Sequence, residues 1–156
     1  MIVVRRYAPS DLPTMMEVRR AAITRVCVHD YTPTQIAGWA AQTQDTVKQD
    51  ARFRNSVTWV ALLENHVVGY INLAADGYID CLYVHAEAQN NGVATALLAA
   101  LEENAYASNV TRLHSEVSIT ARPFFEKRGF SVLAPQVVTV DSIQYDNFRM
   151  EKYLPT

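Results

Sequence analysis

The segment from residue 78 to residue 105 constrains the fold of this chain more than any other. Tyr78 to His85 is rich in aromatic and β-branched residues, which predicts a strand. Gln89 to Gly92 then interrupts this pattern. Apolar side chains return at the i, i+3, i+4 and i+7 spacing of a helix, at Ala94, Leu97, Leu98, Leu101 and Ala105. The sequence therefore predicts a strand, a short glycine-containing loop and a helix in direct succession.

The flanking sequence predicts further strands and helices on both sides. Before residue 78 we predict a strand from Ile2 to Tyr7, a helix from Leu12 to Val26, a helix opened by the capping box Thr32 to Gln35, a short helix or loop from Asp45 to Arg54, and a hairpin of Val57 to Leu63 with Val67 to Leu73. After it we predict a strand from Val110 to Thr120, a short helix capped by Thr120 and stopped by Gly129, and a hairpin of Phe130 to Val140 with Ile143 to Tyr153. This order predicts an α+β, or mixed α/β, fold.

Composition narrows the class of protein. The 156 residues suit one domain, which we place at residues 1–156, and the formal net charge of −2 disfavours nucleic acid as a partner. No run approaches the roughly 20 apolar residues of a membrane span, and no secretory signal is evident, so we expect a cytoplasmic protein without a membrane partner. The two cysteines, Cys27 and Cys81, form no disulfide framework, and the four histidines lack metal-ligand spacing. We expect no metal.

The loop Gln89-Asn90-Asn91-Gly92-Val93-Ala94 is the candidate binding motif. It lies between a strand and a helix, where free backbone amides and the positive end of the helix dipole favour an anion such as pyrophosphate. The same residues are also explained by an ordinary helix start, with Asn91 as the N-cap and Gly92 as a permissive turn residue. The hexapeptide alone leaves both interpretations open.

The loop and its flanks resemble the GNAT superfamily of acyl-CoA-dependent N-acetyltransferases, small bacterial members included. Gln89 to Ala94 is similar to the family motif Gln/Arg-x-x-Gly-x-Gly/Ala, and Leu82-Tyr83-Val84 to its fourth strand. Ala121 to Phe130 is similar to the family segment Ala-x-x-Phe-Tyr-x-x-x-Gly-Phe. The resemblance implies a mixed, mostly antiparallel sheet of about six to seven strands, flanked by about four helices, with the fourth and fifth strands splayed to admit coenzyme A.

The resemblance also implies a set of cofactor-binding residues. Backbone groups of Leu82, Tyr83 and Val84 would pair with pantetheine, and the loop residues Gln89, Asn90, Asn91, Gly92, Val93, Ala94 and Thr95 would wrap the pyrophosphate. Ser118, Ala121, Phe124 and Phe125 would line the same site. Lys127 and Arg128 would add positive charge near the phosphates, although a solvated helix end explains both equally well.

Two carboxylates are candidate general bases. An alkylamine with a pKa near 10.4 is only about 10⁻³ neutral at pH 7, so an acceptor amine must lose a proton before it attacks a thioester. The family position selects Asp80, and strand alternation places Tyr78, Asp80 and Leu82 on one face; a structural ion pair would explain Asp80 as well. Glu116, on the next strand, is the alternative base or a mere pairing partner. Phe125 departs from the family, because it replaces the tyrosine that commonly protonates the departing thiolate.

We therefore predict an acyltransferase that passes acetyl from acetyl-CoA directly to a primary amine, either a small molecule or a peptide. The acceptor would lie between the N-terminal helices and the Asp141 turn, where Tyr31, Trp39 and Met16 belong either to its pocket or to the core. A CoA-binding sensor with little turnover and an unrelated α+β interaction domain are the alternatives. Sequence leaves open whether the chain is a monomer or a homodimer.

Overall fold

The structure, a computed structural model, describes residues 1–155 as seven strands, five α-helices and short 3₁₀ turns. The strands are β1 (Ile2–Arg6), β2 (Val57–Leu63), β3 (His66–Leu73), β4 (Tyr78–Val84), β5 (Arg112–Ser118), β6 (Ser131–Val140) and β7 (Ile143–Tyr153). The helices are α1 (Leu12–Arg25), α2 (Pro33–Ala41), α3 (Thr46–Arg54), α4 (Val93–Ala107) and α5 (Arg122–Lys127).

All seven strands form one sheet in the order β1-β2-β3-β4-β5-β7-β6, and only the β4–β5 pair is parallel. The mixed, mostly antiparallel sheet confirms the predicted fold class. Helix α4 packs its buried stripe on one face of the sheet, with Leu97, Leu98 and Leu101 almost inaccessible. Helices α1 and α3 cover the other face, where Met15 and Phe53 are equally buried. No helix among residues 1–155 is both long and apolar enough to cross a membrane.

Strands β4 and β5 are joined over a short length only. Tyr78 pairs with His114 and Ile79 with Ser115, and the ladder stops there although both strands continue, to Val84 and Ser118. Unpaired strand edges leave backbone N–H and C=O groups available to another extended chain. The sheet therefore presents an opening between β4 and β5.

Strand β4 carries a β-bulge at Asp80. Asn72 of β3 lies opposite Cys81, but Leu73 lies opposite Ile79, so Asp80 has no partner residue. As a result Ile79 packs in the core beneath α4, whereas Cys81 packs in the core beneath α1. Strict alternation placed Tyr78, Asp80 and Leu82 on one face of β4, and this prediction was wrong. Leu82 packs against the core beneath α4, as Ile79 does, so the alternation is broken at the bulge.

Other element predictions need correction at particular residues. Residues 1–155 hold five helices where about four were expected, since residues 46–54 form a complete helix after the Asp45 cap. Thr120 does not cap α5: its hydroxyl donates to Asp30 at 2.7 Å, and the N-cap position is Ala121. The N-cap of α4 is Gly92 rather than Asn91. The capping box at Thr32 and Gln35 is confirmed by reciprocal hydrogen bonds of 3.2 and 2.8 Å.

Candidate active site

A cavity of about 560 Å³ lies in the opening between β4 and β5. It brings together the predicted cofactor-binding residues Leu82, Tyr83, Val84, Gln89, Asn90, Gly92, Val93, Ala94, Thr95, Ser118, Ala121, Phe124, Phe125, Lys127 and Arg128, together with both candidate bases. Asn91 is the one predicted residue outside its lining; it is exposed and donates to the Gln89 carbonyl at 3.2 Å. The cavity thus unites predicted residues from two strands, β4 and β5, with residues of α4 and α5.

The loop before α4 has a backbone conformation suited to an anion. Asn90 and Gly92 adopt positive φ angles of 62° and 80°, which turn the chain sharply into the helix. Gly92 has no side chain to cap the helix, and the first bond of the helix runs from the Ala96 N–H to the Gly92 carbonyl. The backbone N–H groups just before Ala96, at the start of α4, are therefore available to a ligand. The Gln89 side chain fixes the loop by donating to the Val84 carbonyl at 2.8 Å.

Positive charge lies beside this helix start. The Arg128 guanidinium donates to the Thr95 hydroxyl at 2.9 Å and lies 5.6 Å from the centre of the Phe124 ring. Lys127 also lines the cavity and is exposed. Because Arg128 reaches across to the first turn of α4, its position is more specific than that of a solvated helix end.

Ser118 and Phe125 both line the cavity, and each is already engaged within the chain. Ser118 accepts a hydrogen bond from the Ala121 amide at 3.0 Å, so its hydroxyl is already engaged in starting α5. Phe125 is 3% exposed and makes edge contacts with Phe124 and Phe130. Its ring is thus part of the core as well as of the cavity wall, and it offers no proton.

Asp80 is held in an ion pair. Arg52 of α3 donates to both carboxylate oxygens, at 2.5 and 2.7 Å, and the Asn72 amide donates to one of them at 3.1 Å. Burial alone would raise the pKa of Asp80, but the hydrogen bonds and charge of Arg52 outweigh it and lower the pKa below its usual 3.8. A carboxylate stabilised in this way is a weak proton acceptor. The same Asn72 side chain accepts from the Cys81 amide at 2.8 Å and so fills the bulge.

Glu116 differs from Asp80 in its exposure and in its contacts. Its side chain is exposed, and no hydrogen bond or ion pair joins it to another side chain among residues 1–155. It lines both the large cavity and a second one of about 150 Å³. Glu116 is therefore the carboxylate at the point where the two cavities meet.

The second cavity has aromatic side chains on its wall, so we call it the aromatic cavity. Its wall is formed by Tyr31, Trp39, Gln42, Ser118, Val138, Val140, Tyr145, Asp146 and Asn147, in addition to Glu116. The Trp39 ring makes edge contacts with Tyr31 and Tyr145, and the Trp39 indole N–H donates to the Tyr83 hydroxyl at 2.9 Å. Met16, the third residue considered for this pocket, is a core residue at 2% exposure.

Helix α2 is tied closely to β7 and so closes this second cavity. Gln35 donates to the Gln144 carbonyl at 2.7 Å, and the Tyr145 hydroxyl donates to the Gln35 carbonyl at 3.1 Å. A Cβ at Gly38 would lie 2.6 Å from Ile143 Cδ1 and 2.9 Å from the Tyr145 hydroxyl, so a larger residue there would have to displace these side-chain ends. Tyr31 links the same region to the end of β5, where its hydroxyl accepts from the Ile119 amide at 3.0 Å.

The comparisons with known proteins agree with this geometry. The family model described as an acetyltransferase (GNAT) domain matches residues 27–152. The chain belongs to the GNAT family. YafP of Escherichia coli, described as an uncharacterized N-acetyltransferase, is 34% identical to this GNAT chain over 154 residues, which cover 99% of the chain and 97% of YafP. Membership confirms the predicted family and an acyltransferase activity.

Two solved structures extend the comparison. A GCN5-related N-acetyltransferase from Rhodopseudomonas palustris is 32% identical, with a TM-score of 0.95 over 97% of this chain and 95% of its own. The PaiA N-acetyltransferase from Thermoplasma acidophilum, solved in complex with coenzyme A, is 20% identical with a TM-score of 0.83 over 99% of each chain. At that lower identity the likeness shows the GNAT fold alone.

Several residues of this site were not singled out from the sequence. Arg52 and Asn72, which hold Asp80, come from α3 and β3, and Asn147 comes from β7. A polar Asn72 in an otherwise apolar strand was the one available signal. Residues 1–155 hold no cluster of three or more side chains of the types that bind a metal ion.

Proposed function

We propose that this chain is an N-acetyltransferase that moves the acetyl group of acetyl-CoA directly to a primary amine. One observation carries the proposal. A cavity of about 560 Å³ opens between β4 and β5, reaches the amides at the start of α4, and meets a second, aromatic cavity at the exposed carboxylate of Glu116. Family membership supports the reaction, and the coenzyme A in the PaiA complex supports the donor.

The donor would lie along β4. The pyrophosphate takes the amides of residues 92–95 and the charge of Arg128, and the pantetheine arm pairs with the free edge of Leu82 to Val84. This places the thioester close to the bulge at Asp80. A backbone amide near Leu82 or Tyr83 then polarises the thioester carbonyl, a contribution worth about 10² to 10³ in rate in other acyl-transfer sites.

Glu116 is our preferred proton acceptor. The ammonium of the acceptor first gives one proton to the Glu116 carboxylate, directly or through water. The neutral amine nitrogen then bonds to the acetyl carbon, the bond from that carbon to sulfur breaks, and the second proton leaves the nitrogen to water. The electron pair of the broken bond leaves on sulfur. Because a free thiol has a pKa near 8.5, the thiolate departs without an acid and takes its proton from water, which is consistent with Phe125.

Asp80 remains the alternative base. To act as one it must give up the two hydrogen bonds from Arg52, which stabilise the charged form of the carboxylate. Asp80 is instead linked to the bulge, because the Asn72 side chain forms hydrogen bonds both with Asp80 and with the Cys81 amide. We therefore assign Asp80 to the shape of β4 and Glu116 to proton transfer.

The acceptor would enter through the aromatic cavity. Tyr31, Trp39 and Tyr145 form a wall that suits an apolar body, and a volume of about 150 Å³ suits either a small amine or one side chain of a peptide. The Asn147 side-chain oxygen is buried there without a hydrogen-bond partner. An amine N–H is the kind of donor that would satisfy it.

Calorimetric titration of acetyl-CoA, followed in the same samples by thiol release with a panel of amines, tests the proposal. We expect saturable binding and release that depends on the amine. Binding without release from any amine would favour the CoA sensor, for which Phe125 is the supporting residue. Absence of binding would reject the assignment of the cavity.

A further inference from the structure

Arg19 is a buried cation without a counter-ion. It lies on α1 and is 2% exposed. Its guanidinium donates to the Gln42 side-chain oxygen at 3.0 Å and lies 5.1 Å from the centre of the Tyr83 ring. The other two nitrogens, Nε and Nη1, are buried with no hydrogen-bond partner. Since buried charges in proteins are paired and an arginine does not lose its proton, this arrangement is incomplete as it stands.

The surrounding side chains do not supply the missing partner. Asp80 lies near this region, but both its oxygens are taken by Arg52. Arg19, Arg52 and Asp80 therefore leave one positive charge in excess. The hydroxyl of Tyr70, whose ring lies 5.6 Å from that of Tyr83, is likewise buried without a partner. These unsatisfied groups are mostly donors, so the group that would complete them is an acceptor, and the excess charge calls for an anion.

Gln42 lies between Arg19 and the second cavity. Gln42, whose oxygen now accepts from Arg19, lines that cavity beside Trp39 and Glu116. Ala22 of α1 and Val26 at its C-cap line the large cavity, and Arg19 lies three and seven residues before them, on the same helix face. A ligand in the second cavity would therefore reach Arg19 by displacing the Gln42 side chain.

We propose that the acceptor is an amine that also carries a carboxylate, and that this carboxylate displaces the Gln42 oxygen and pairs with the Arg19 guanidinium. The inference rests on the proposed function and names the class of its acceptor. The planar fork of arginine binds a carboxylate through two parallel hydrogen bonds, which fixes direction as well as charge. With the carboxylate at Arg19 and the ammonium toward Glu116, a zwitterionic acceptor is oriented at both ends.

The test compares matched acceptors. For phenylalanine and phenylalaninamide, which share an apolar body and differ at the carboxylate, kcat/KM is measured by thiol release and the ratio of acid to amide is taken. We expect the ratio to fall about 10- to 100-fold in Arg19→Met, because a hydrogen bond to a charged group is lost. Methionine fills a similar volume, and replacing a buried unpaired charge with it should preserve the fold.

A second variant changes the charge without removing Arg19. Gln42→Glu supplies an internal carboxylate, so we expect a raised melting temperature and a ratio reduced to the level of Arg19→Met. Gln44→Glu, an exposed substitution two residues along in the same 3₁₀ turn, is the control and should keep the wild-type ratio. If a general repulsion of acids by added charge were the cause, both variants would lower the ratio equally, and the proposal would be overturned.

Binding provides a readout that does not need turnover. The shift in melting temperature caused by each acid and each amide, with coenzyme A present, should be larger for the acid in the wild type and equal in Arg19→Met. Equal shifts in the wild type, together with an acid-to-amide rate ratio near one, would overturn the inference. That outcome leaves amine-dependent thiol release intact, so it is distinct from failure of the proposed transferase.

Discussion

The cavity that we propose for the cofactor and the cavity that we propose for the acceptor share Glu116 in their linings, yet they offer a ligand different groups. The first offers main-chain groups: the amides at the start of α4 and the unpaired edge of β4 from Leu82 to Val84. The second is made of side chains from α2, β5, β6 and β7, with Trp39 and Tyr145 prominent. Main-chain groups are the same in every residue, so the first cavity suits one cofactor and the second can vary with its substrate.

Two regions of the site also differ in whether their polar side chains have hydrogen-bond partners. Around the bulge, Asp80, Arg52 and Asn72 complete one another's hydrogen bonds. Around the acceptor cavity, Arg19 and Asn147 each bury polar atoms that lack a partner. A site that is complete by itself holds the scaffold, whereas one that is incomplete is suited to a ligand.

The largest effect is expected where the two cavities meet. Glu116→Gln should lower kcat by about 10² to 10⁴, the range of general base catalysis, because the glutamine amide cannot accept the ammonium proton. Acetyl-CoA affinity by calorimetry should stay the same. Glu103→Gln, which removes the same charge from an exposed position on α4, is the control. Wild-type kcat in Glu116→Gln would return the base assignment to Asp80.

The next effect should be confined to the cofactor cavity. Gly92→Glu should weaken acetyl-CoA binding by about 100-fold or more, because a carboxylate placed beside phosphates costs several kcal/mol. Steric conflict is not the cause, since the nearest atom to a Cβ there is 3.9 Å away. Gly92→Ala separates the strain of the positive φ, worth about 1 kcal/mol in stability, from the charge. If both variants bind equally, charge at the loop is irrelevant.

Asp80→Asn should act on stability more than on binding. Losing the ion pair leaves Arg52 without its partner, at a cost of about 1 to 3 kcal/mol, less than for a fully buried pair because both side chains are partly exposed. Chemical denaturation measures this difference. Arg54→Gln, which breaks an exposed ion pair on the same helix, should cost much less.

The pH dependence of unfolding sharpens the same prediction. The pKa of Asp80 in the folded chain lies below its usual 3.8, so its contribution to stability is present above that pH and is lost as the pH falls through the lower folded value. Asp80→Asn should therefore lose less stability than the wild type on acidification below pH 3.8. Parallel pH profiles for the two proteins would contradict the ion pair.

The smallest effect concerns the aromatic wall. Trp39→Phe removes the N–H that donates to the Tyr83 hydroxyl, worth about 1 kcal/mol, and should raise KM for the acceptor by a few fold while acetyl-CoA binding is unchanged. Trp59→Phe is the matched control, because Trp59 lies in the core beneath α4. A rise in KM for both variants would point to a general loss of packing.

Sequence reasoning worked where the deciding interactions are local. The α4 helix, the capping box at Thr32 and the hairpins depend on residues within a few positions of one another, and they were predicted correctly. The face of Asp80 was predicted wrongly, because the bulge that turns it depends on Asn72 of a neighbouring strand. The helical state of residues 46–54 depends on packing of Phe53 in the core.

By itself, the sequence determined the order of elements, the glycine-containing loop before α4 and, through the resemblance of two motifs, the family. Such features depend on local sequence, since hydrophobic period, glycine conformation and free helix amides need few residues. Only the tertiary structure decided that Arg52 holds Asp80, that Glu116 lines two cavities and that Arg19 lacks a counter-ion. Charge pairing and burial depend on which distant segments come into contact, and no local pattern contains that information.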